Sequence, residues 1–408
     1  MQKTPGNSGE TAAAGARPRR GAGRPPTAGG MAQSVTRHNG ITGPQDWELL
    51  AAGIDTLDLG LYVDWRGVWP ALSAKLEDGK QRAMGTEGVP CGRTSLGESI
   101  ILPAGKRRYA WHLQWPALHL WIADRDAPAK NGPNVLCSIN SHTLWEHGLA
   151  GAVALVERLM VDLRGKLLKS TVSRVDLCAD FRLDVPLTLD FLRAATVAKS
   201  PKRRPYLNGD RLETWYVGQG GGAIQVRIYD KALEINRPGG KSWMWDVWGI
   251  EPGACVWRVE LQVRRRVLRQ YGLDSLKCLG LFAGGIWLDL LTNWCSLRLA
   301  DDSNTTRRTV HPWWQAVQQV AQQFGKVLPV GRCLDPASAG SLAWYRSHVG
   351  GCLAGYAALK GLRDLQAAIA AVGEDIEAHW ASRNWAERFV VESVRRGMPV
   401  EVNDGIPI

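Results

Sequence analysis

Charged side chains alternate with apolar ones along residues 173–181, which run Ser-Arg-Val-Asp-Leu-Cys-Ala-Asp-Phe. Successive side chains of a β-strand point to opposite faces of a sheet, so this alternation places Arg174, Asp176 and Asp180 on one face and apolar residues on the other. The run therefore predicts a strand with one face buried in a core and one face that carries acids and a base.

Two later runs repeat this alternation. The run Gln-Val-Arg-Ile-Tyr-Asp-Lys would present Arg227, Tyr229 and Lys231 on one face. The run Val-Trp-Arg-Val-Glu-Leu-Gln-Val-Arg would likewise present Arg258 and Glu260. Three such strands in one sheet would make a continuous polar surface over an apolar core, and we call this predicted surface the polar wall.

The polar wall has the residue types needed to cleave a phosphodiester. Its acids, Asp176, Asp180 and Glu260, are hard oxygen ligands that would hold Mg²⁺ or Mn²⁺ and leave coordination positions for a phosphate. A tyrosine hydroxyl is a weak nucleophile at neutral pH and needs a metal or nearby cations to favour the phenolate, and Arg227, Lys231 and Arg258 are on the right face to supply these cations. The simpler alternative is charge pairing across a solvated sheet face, worth about 0.2–1 kcal/mol per pair. The spacing alone does not separate these two interpretations.

The composition favours a globular protein with a polyanionic partner. Of 408 residues, 45% are hydrophobic, and 50 Lys and Arg against 39 Asp and Glu give a formal charge of +11. Nucleic acid is the first candidate partner and an acidic membrane surface the second. The eight cysteines form no C-x-x-C pair, and no stretch approaches twenty uninterrupted apolar residues. Together with a polar N-terminus, these features predict a cytoplasmic protein with reduced thiols and no membrane span.

The order of elements predicts an α+β fold, with antiparallel sheets and packed helices in two related halves, plus a helical C-terminal region. Residues 1–45 carry basic residues without apolar periodicity and are predicted to be a disordered basic tail. Residues 46–185 and 186–300 are predicted to be the two α+β halves, and residues 301–408 the helical region.

Four smaller elements bear on the polar wall. Apolar periodicity predicts a helix over 149–168 that leads into the first wall strand. A strand over 213–217, followed by the glycine-rich turn 218–222, predicts a hairpin with the strand of Tyr229. Residues 236–253 are predicted to be a loop.

Four motifs in this order resemble those of the replication initiation factor family. They are Ser-Arg-Val-Asp-Leu-Cys-Ala-Asp at 173–180, Glu-Thr-Trp-Tyr-Val-Gly at 213–218, Val-Arg-Ile-Tyr-Asp-Lys at 226–231 and Trp-Arg-Val-Glu-Leu at 257–261. That family includes initiators of rolling-circle plasmids, filamentous-phage replication proteins and relaxases of some conjugative elements. The resemblance covers roughly residues 50–290.

The resemblance implies a metal-dependent tyrosine endonuclease. Such an enzyme nicks one strand at an origin, stays on the 5′ phosphate and frees a 3′ hydroxyl. The partners it implies are origin DNA, single-stranded or as an extruded hairpin, together with a host helicase and polymerase. Two other classes stay open: a non-catalytic DNA-binding protein on the same scaffold, and an RNA-binding module with tryptophan platforms.

The resemblance also assigns site residues. It implies Asp176 and Glu260 as metal ligands, and its tyrosine patterns place two candidate nucleophiles, Tyr216 and Tyr229. We rank Tyr229 slightly first, because the alternation would set its hydroxyl between two cations of the polar wall.

Overall fold

One antiparallel sheet of eleven strands organises the fold, and its combination with packed helices confirms the predicted α+β class. The structure is a computed structural model that describes residues 43–130, 132–325, 327, 330, 342–381 and 383–395. Its strands are β1 (Trp47–Asp64), β2 (Val89–Thr94), β3 (Gly97–Leu102), β4 (Trp111–Gln114), β5 (Leu118–Ile122), β6 (Val135–Ile139), β7 (Lys166–Leu183), β8 (Thr196–Ala198), β9 (Arg203–Asn208), β10 (Arg211–Val217), β11 (Ile224–Asp230), β12 (Val256–Arg264) and β13 (Cys295–Leu297).

The helices lie between and after these strands. They are α1 (Trp69–Ala83), α2 (Ser141–Asp162), α3 (Leu189–Ala195), α4 (Lys231–Ile235), α5 (Met244–Trp248), α6 (Arg265–Gln270), α7 (Leu276–Asn293), α8 (Pro312–Gln319), a 3₁₀ helix (Val320–Phe324), α9 (Leu342–Lys360), α10 (Leu365–Trp380) and α11 (Trp385–Arg395). Within the described ranges, no helix is both long and apolar enough to cross a membrane.

The three strands of the polar wall are neighbours in the sheet, as predicted. The strand order is β2-β3-β4-β5-β6-β1-β7-β12-β11-β10-β9, and β8 pairs separately with β13. β7 lies near the centre, where β1 pairs with it from Trp47 opposite Leu183 to Asp64 opposite Lys166. The predicted hairpin is also present, because β10 pairs directly with β11.

The alternation in β7 determines which face of the sheet is buried. Val175, Leu177 and Ala179 are all 0% exposed, and the ring of Phe181 lies 6.0 Å from that of Trp313 on α8. Full burial of a large apolar side chain stabilises the fold by about 1.5–3 kcal/mol relative to leaving it exposed. A register slip of one residue would exchange this apolar row for the acids of the polar wall, so the core fixes the register.

Two predicted elements differ from the structure. The predicted loop over 236–253 contains the short helix α5, because Met244, Trp245 and Trp248 bury their side chains against the sheet. The predicted helix over 149–168 begins earlier and ends earlier, as α2 at Ser141–Asp162, and it has a kink at Gly148, whose φ is +64°. Only glycine adopts such a left-handed conformation at little cost.

The predicted domain boundaries remain predictions. The large sheet includes strands from both predicted halves, since β7 and β12 are hydrogen-bonded neighbours. The predicted basic tail over 1–45 lies almost wholly outside the described residues.

Candidate functional site

The register brings both candidate tyrosines and two predicted acids onto one face of the sheet. Tyr216 on β10 lies opposite Arg227 on β11. Arg227 in turn lies opposite Glu260 on β12, and Glu260 lies opposite Cys178 on β7. This row runs perpendicular to the strands and brings together residues of four separate motifs, because Cys178 and Glu260 are neighbours in it although they are 82 residues apart in sequence.

Arg227 joins two of the predicted acids. Its Nη2 atom donates to Asp176 Oδ2 at 2.9 Å and also to Glu260 Oε1. Asp176 is 0% exposed and Glu260 1%, whereas the side chain of Arg227 is 26% exposed. We call Asp176, Arg227 and Glu260 the open cluster, because its arginine reaches solvent.

Tyr229 is held by the open cluster, and the electrostatic environment of its hydroxyl differs from the predicted one. Its hydroxyl donates to Glu260 Oε2 at 2.9 Å. Burial and the negative charge of Glu260 raise the pKa of Tyr229 well above its usual range, so this environment favours the phenol over the predicted phenolate. Lys231, the second predicted cation, is 0% exposed at the start of α4 and pairs there with Glu234. The chain turns into α4 directly after β11, which takes Lys231 out of the alternation.

Tyr216 has two cationic neighbours, and Tyr229 keeps one of its predicted two, because Lys231 Nζ lies 5.5 Å from the centre of the Tyr229 ring. The guanidinium of Arg204 on β9 lies 5.0 Å from the centre of its ring, and Arg227 is its partner in register on the other side. Within the described part of the chain, no hydrogen bond engages the Tyr216 hydroxyl. Both tyrosines line a pocket of about 190 Å³, together with Tyr206 and Glu213.

A second pair of acids, with its own arginine, lies on the same face. Arg258 donates through Nε and Nη2 to Asp180 at 2.5 and 2.7 Å, and through Nη1 to Asp55 at 2.5 Å. Trp248 Nε1 also donates to Asp180 Oδ2, at 2.9 Å. We call Asp55, Asp180 and Arg258 the closed cluster. Asp180, the third predicted metal ligand, therefore lies in a different cluster from the other two.

The side chains of α5 cover the closed cluster. Met244 Sδ lies 4.0 Å from Arg258 Nη2, and the indole of Trp145 on α2 lies 5.9 Å from the same guanidinium. Arg258 is 0% exposed as a result, so it cannot reach a phosphate. Its predicted role as a cation for cleavage does not fit this position.

The open cluster, as arranged, does not fit a divalent metal ion. All four carboxylate oxygens of Asp176 and Glu260 already accept hydrogen bonds from protein groups. The donors are Arg174, Arg227, Gln262 and Tyr229. Across the described residues, no group of three or more His, Cys, Asp or Glu side chains could hold a metal. The Mg²⁺ or Mn²⁺ requirement therefore stays a prediction, and we assign no chemical step to a metal.

Three residues of this surface were missed by the sequence reasoning. Asp55 and Glu213 occur where the register shifts, between Ile54 and Thr56 and between Leu212 and Thr214. Each shift is a local irregularity that turns an acid onto the polar face, whereas simple alternation would place it on the opposite face. The third residue is Arg204, which lies on β9; the basic run Lys-Arg-Arg at 202–204 was the available signal.

Comparison with known proteins gives little further information. No protein-family model and no curated protein matches the chain. Among solved structures, a rolling circle replication initiator protein from Geobacillus stearothermophilus is similar at 17% sequence identity and a TM-score of 0.40. The match covers 69% of this chain and 100% of that chain. A likeness of this degree assigns no function, so the function proposed below depends on the residues of this chain.

Proposed function

We propose that this protein initiates rolling-circle replication by nicking one DNA strand at an origin through a tyrosine nucleophile. The observation that carries the proposal is the placement of Tyr216, which shares a pocket with Tyr229 and lies in one row with Arg227 and Glu260. Its hydroxyl has no hydrogen-bond partner among the described residues. The four motifs that resemble the replication initiation factor family contribute this row. The basic balance of the chain, +11, suits a polyanionic substrate.

We assign the attack to Tyr216, which reverses the ranking from sequence. The ranking depends on the cations beside each tyrosine, because such cations stabilise the charge that builds on the phosphorus oxygens. In the structure Arg204 and Arg227 flank Tyr216, whereas Tyr229 donates to a carboxylate.

The proposed step is a transesterification. The Tyr216 oxygen forms a bond to phosphorus as the bond from phosphorus to the 3′ oxygen breaks. The tyrosine proton passes to solvent, and the leaving 3′ oxygen takes a proton from water. The products are a 5′-phosphotyrosine and a free 3′ hydroxyl that a polymerase can extend, after a helicase opens the duplex.

Arg227 would stabilise the pentavalent phosphorus in this step. Asp176 and Glu260 fix its guanidinium, so little reorganisation is needed when charge develops. The side chain is 26% exposed, so its guanidinium remains within reach of a phosphate at the surface. In this proposal the role of Asp176 and Glu260 is to position the guanidinium of Arg227.

Tyr229 is the second candidate nucleophile, because a carboxylate within hydrogen-bond reach is the usual arrangement of a nucleophile and its base. Glu260 Oε2 accepts from its hydroxyl at 2.9 Å. Mapping of the covalent adduct decides between the two tyrosines.

The test is to incubate the protein with supercoiled origin DNA and with a single-stranded oligonucleotide, each with and without Mg²⁺ or Mn²⁺. We expect open circles and a covalent peptide–DNA adduct whose mass maps to Tyr216. Tyr216→Phe should abolish the adduct, and Tyr229→Phe should keep it. An adduct on Tyr229 would overturn the assignment, and an adduct on neither tyrosine would overturn the mechanism.

A non-catalytic DNA-binding protein is the alternative function. The observation that favours it is the saturation of Asp176 and Glu260 by protein donors, as in ordinary charge pairing on a sheet. Salt-dependent DNA binding without open circles or an adduct in any metal would support this alternative.

A further inference from the structure

The pocket that Tyr216 lines is bounded by two further tyrosines and three acids. We propose that it binds one unpaired base of the DNA strand and prefers bases with an exocyclic amino group. This inference rests on the proposed function, since it supplies a base-selective subsite for the strand to be cleaved.

The size and lining of the pocket suit a single base. Its volume of about 190 Å³ is below the ~300–1,000 Å³ of pockets that take drug-sized ligands. Tyr206, Tyr216 and Tyr229 are among its lining residues. Tyr206 is 56% exposed, so its ring is accessible for stacking. Bases stack on aromatic rings whatever their identity, so these tyrosines would supply affinity without selectivity.

Glu213 would supply the selectivity. It is 5% exposed, and its Oε2 atom accepts from Arg237 Nη2 at 2.5 Å. Its Oε1 atom accepts no hydrogen bond from any described residue. Glu213 Oε1 is not among the buried unpaired atoms, so it is accessible to a donor that enters the pocket. Cytosine, adenine and guanine carry an amino group that can donate to it, whereas thymine carries none and its N3–H lies between two carbonyl oxygens, which a carboxylate repels.

The other acids of the pocket are already engaged. Asp230 accepts from Arg211 Nη2 at 2.6 Å and from the backbone N–H of Leu233 at 2.8 Å. Glu234 pairs with Lys231. Glu234 keeps its Oε1 atom, but its side chain is 41% exposed to water, whereas Glu213 is 5% exposed, so Glu213 is the enclosed acid with an oxygen available for a base.

Arginines around the pocket are placed to contact the strand outside it. The side chain of Arg211 is 60% exposed and that of Arg237 is 53% exposed, although each also pairs with a carboxylate. Such side chains can contact backbone phosphates, which position a strand without reading its sequence. A base in the pocket and phosphates on this rim together describe single-stranded DNA.

The experiment measures equilibrium binding of labelled hexadeoxynucleotides by fluorescence anisotropy, with EDTA present. The wild-type protein should bind hexadeoxycytidylate and hexadeoxyadenylate about tenfold more tightly than hexadeoxythymidylate, because one good base contact discriminates by about that factor. Glu213→Gln should reduce this ratio to near one and leave thymidylate binding unchanged. The control Glu157→Gln, at an exposed position of α2, should keep the wild-type ratio.

Equal affinity of the wild-type protein for all three oligonucleotides would overturn the proposal, and so would an unchanged ratio in Glu213→Gln. A second measurement needs no variant: crosslinking of an oligonucleotide with 5-iododeoxycytidine to the wild-type protein should label peptides that contain Tyr206 or Tyr216. Labelling confined to other peptides would also overturn it. These readouts require no cleavage, so a base preference without nicking would reject the proposed function alone.

Discussion

Two acid–arginine–acid clusters lie side by side on one face of the sheet, and they differ in what covers them. In the open cluster the side chain of Arg227 is 26% exposed, and in the closed cluster that of Arg258 is 0% exposed. Arg258 is opposite Tyr229 in register, and Arg227 is opposite Glu260, so the two arginines come from neighbouring strands. The chemistry of the two clusters is similar, and only their surroundings differ.

This difference separates a structural role from a functional one. Removing an arginine from a fully buried ion pair leaves uncompensated carboxylates in a medium of low dielectric, which is very costly. An arginine that reaches solvent can exchange part of its interactions for those of an anionic ligand. We therefore expect the closed cluster to support the fold and the open cluster to act on DNA.

The largest expected effect is on stability. Arg258→Met should lower the free energy of unfolding by about 3–5 kcal/mol, because Asp55 and Asp180 lose their buried counter-ion. Arg227→Met should cost clearly less, since water can reach the open cluster. Urea denaturation of both variants and the wild type measures the difference. Equal losses of unfolding free energy in the two variants would mean that the difference in burial between the two clusters does not affect stability.

The second effect is on catalysis. Arg227→Ala should lower the nicking rate by about 10²–10³-fold, as expected when one preorganised donor to the transition state is removed. The control Arg193→Ala changes an exposed arginine on α3 and should nick at the wild-type rate. A folded Arg227→Ala protein with full activity would remove the open cluster from the mechanism.

A third prediction concerns the metal. Because Arg227 occupies the position between Asp176 and Glu260, Arg227→Gln should bind Mn²⁺ about tenfold more tightly than the wild type, as the net charge of the ligand group becomes more negative. Electron paramagnetic resonance of free Mn²⁺ measures this directly. Arg237→Gln, which frees a single carboxylate, is the matched control and should show no gain. Tight Mn²⁺ binding by the wild type would mean that Arg227 moves away from the acids.

The smallest expected effect is on the pH dependence of stability at acidic pH, and it tests the closed cluster. Burial alone would raise the pKa of Asp55, but Arg258 and Lys241 outweigh it and hold this pKa well below its usual range. The unfolded chain takes up a proton near pH 3.9, whereas the folded chain does not, so this contribution is present above about pH 4 and is lost as the pH falls towards the folded pKa.

Asp55→Asn should therefore be less stable than the wild type at pH 7 but should lose less further stability between about pH 4 and pH 2. Thermal unfolding across this range measures the slope. Asp190→Asn, at an exposed position of α3, should keep the wild-type slope. If the stability of Asp55→Asn fell with pH as steeply as that of the wild type, Asp55 would not be the group responsible for this pH dependence.

The sequence alone predicted the parts of this protein that depend on local pattern. A period of two in β7, β11 and β12 predicted a sheet with a polar face, and these strands are neighbours in the structure. The same period of two placed Asp176, Arg227 and Glu260 on the polar face, where they are in contact. The alternation is reliable because a strand between apolar helices and solvent must follow it to bury its core side chains.

Only the tertiary structure decided how the polar face divides into an open and a closed part. The shifts in register that turn Asp55 and Glu213 onto this face break the period of two, and pairing with another strand determines where they occur. The cover of Arg258 comes from α5, a helix in a predicted loop that forms because its side chains find an apolar site on the sheet. The ranking of Tyr216 over Tyr229 likewise depends on Arg204, which β9 brings from outside both tyrosine motifs. Such contacts join residues far apart in sequence, so no local pattern contains them.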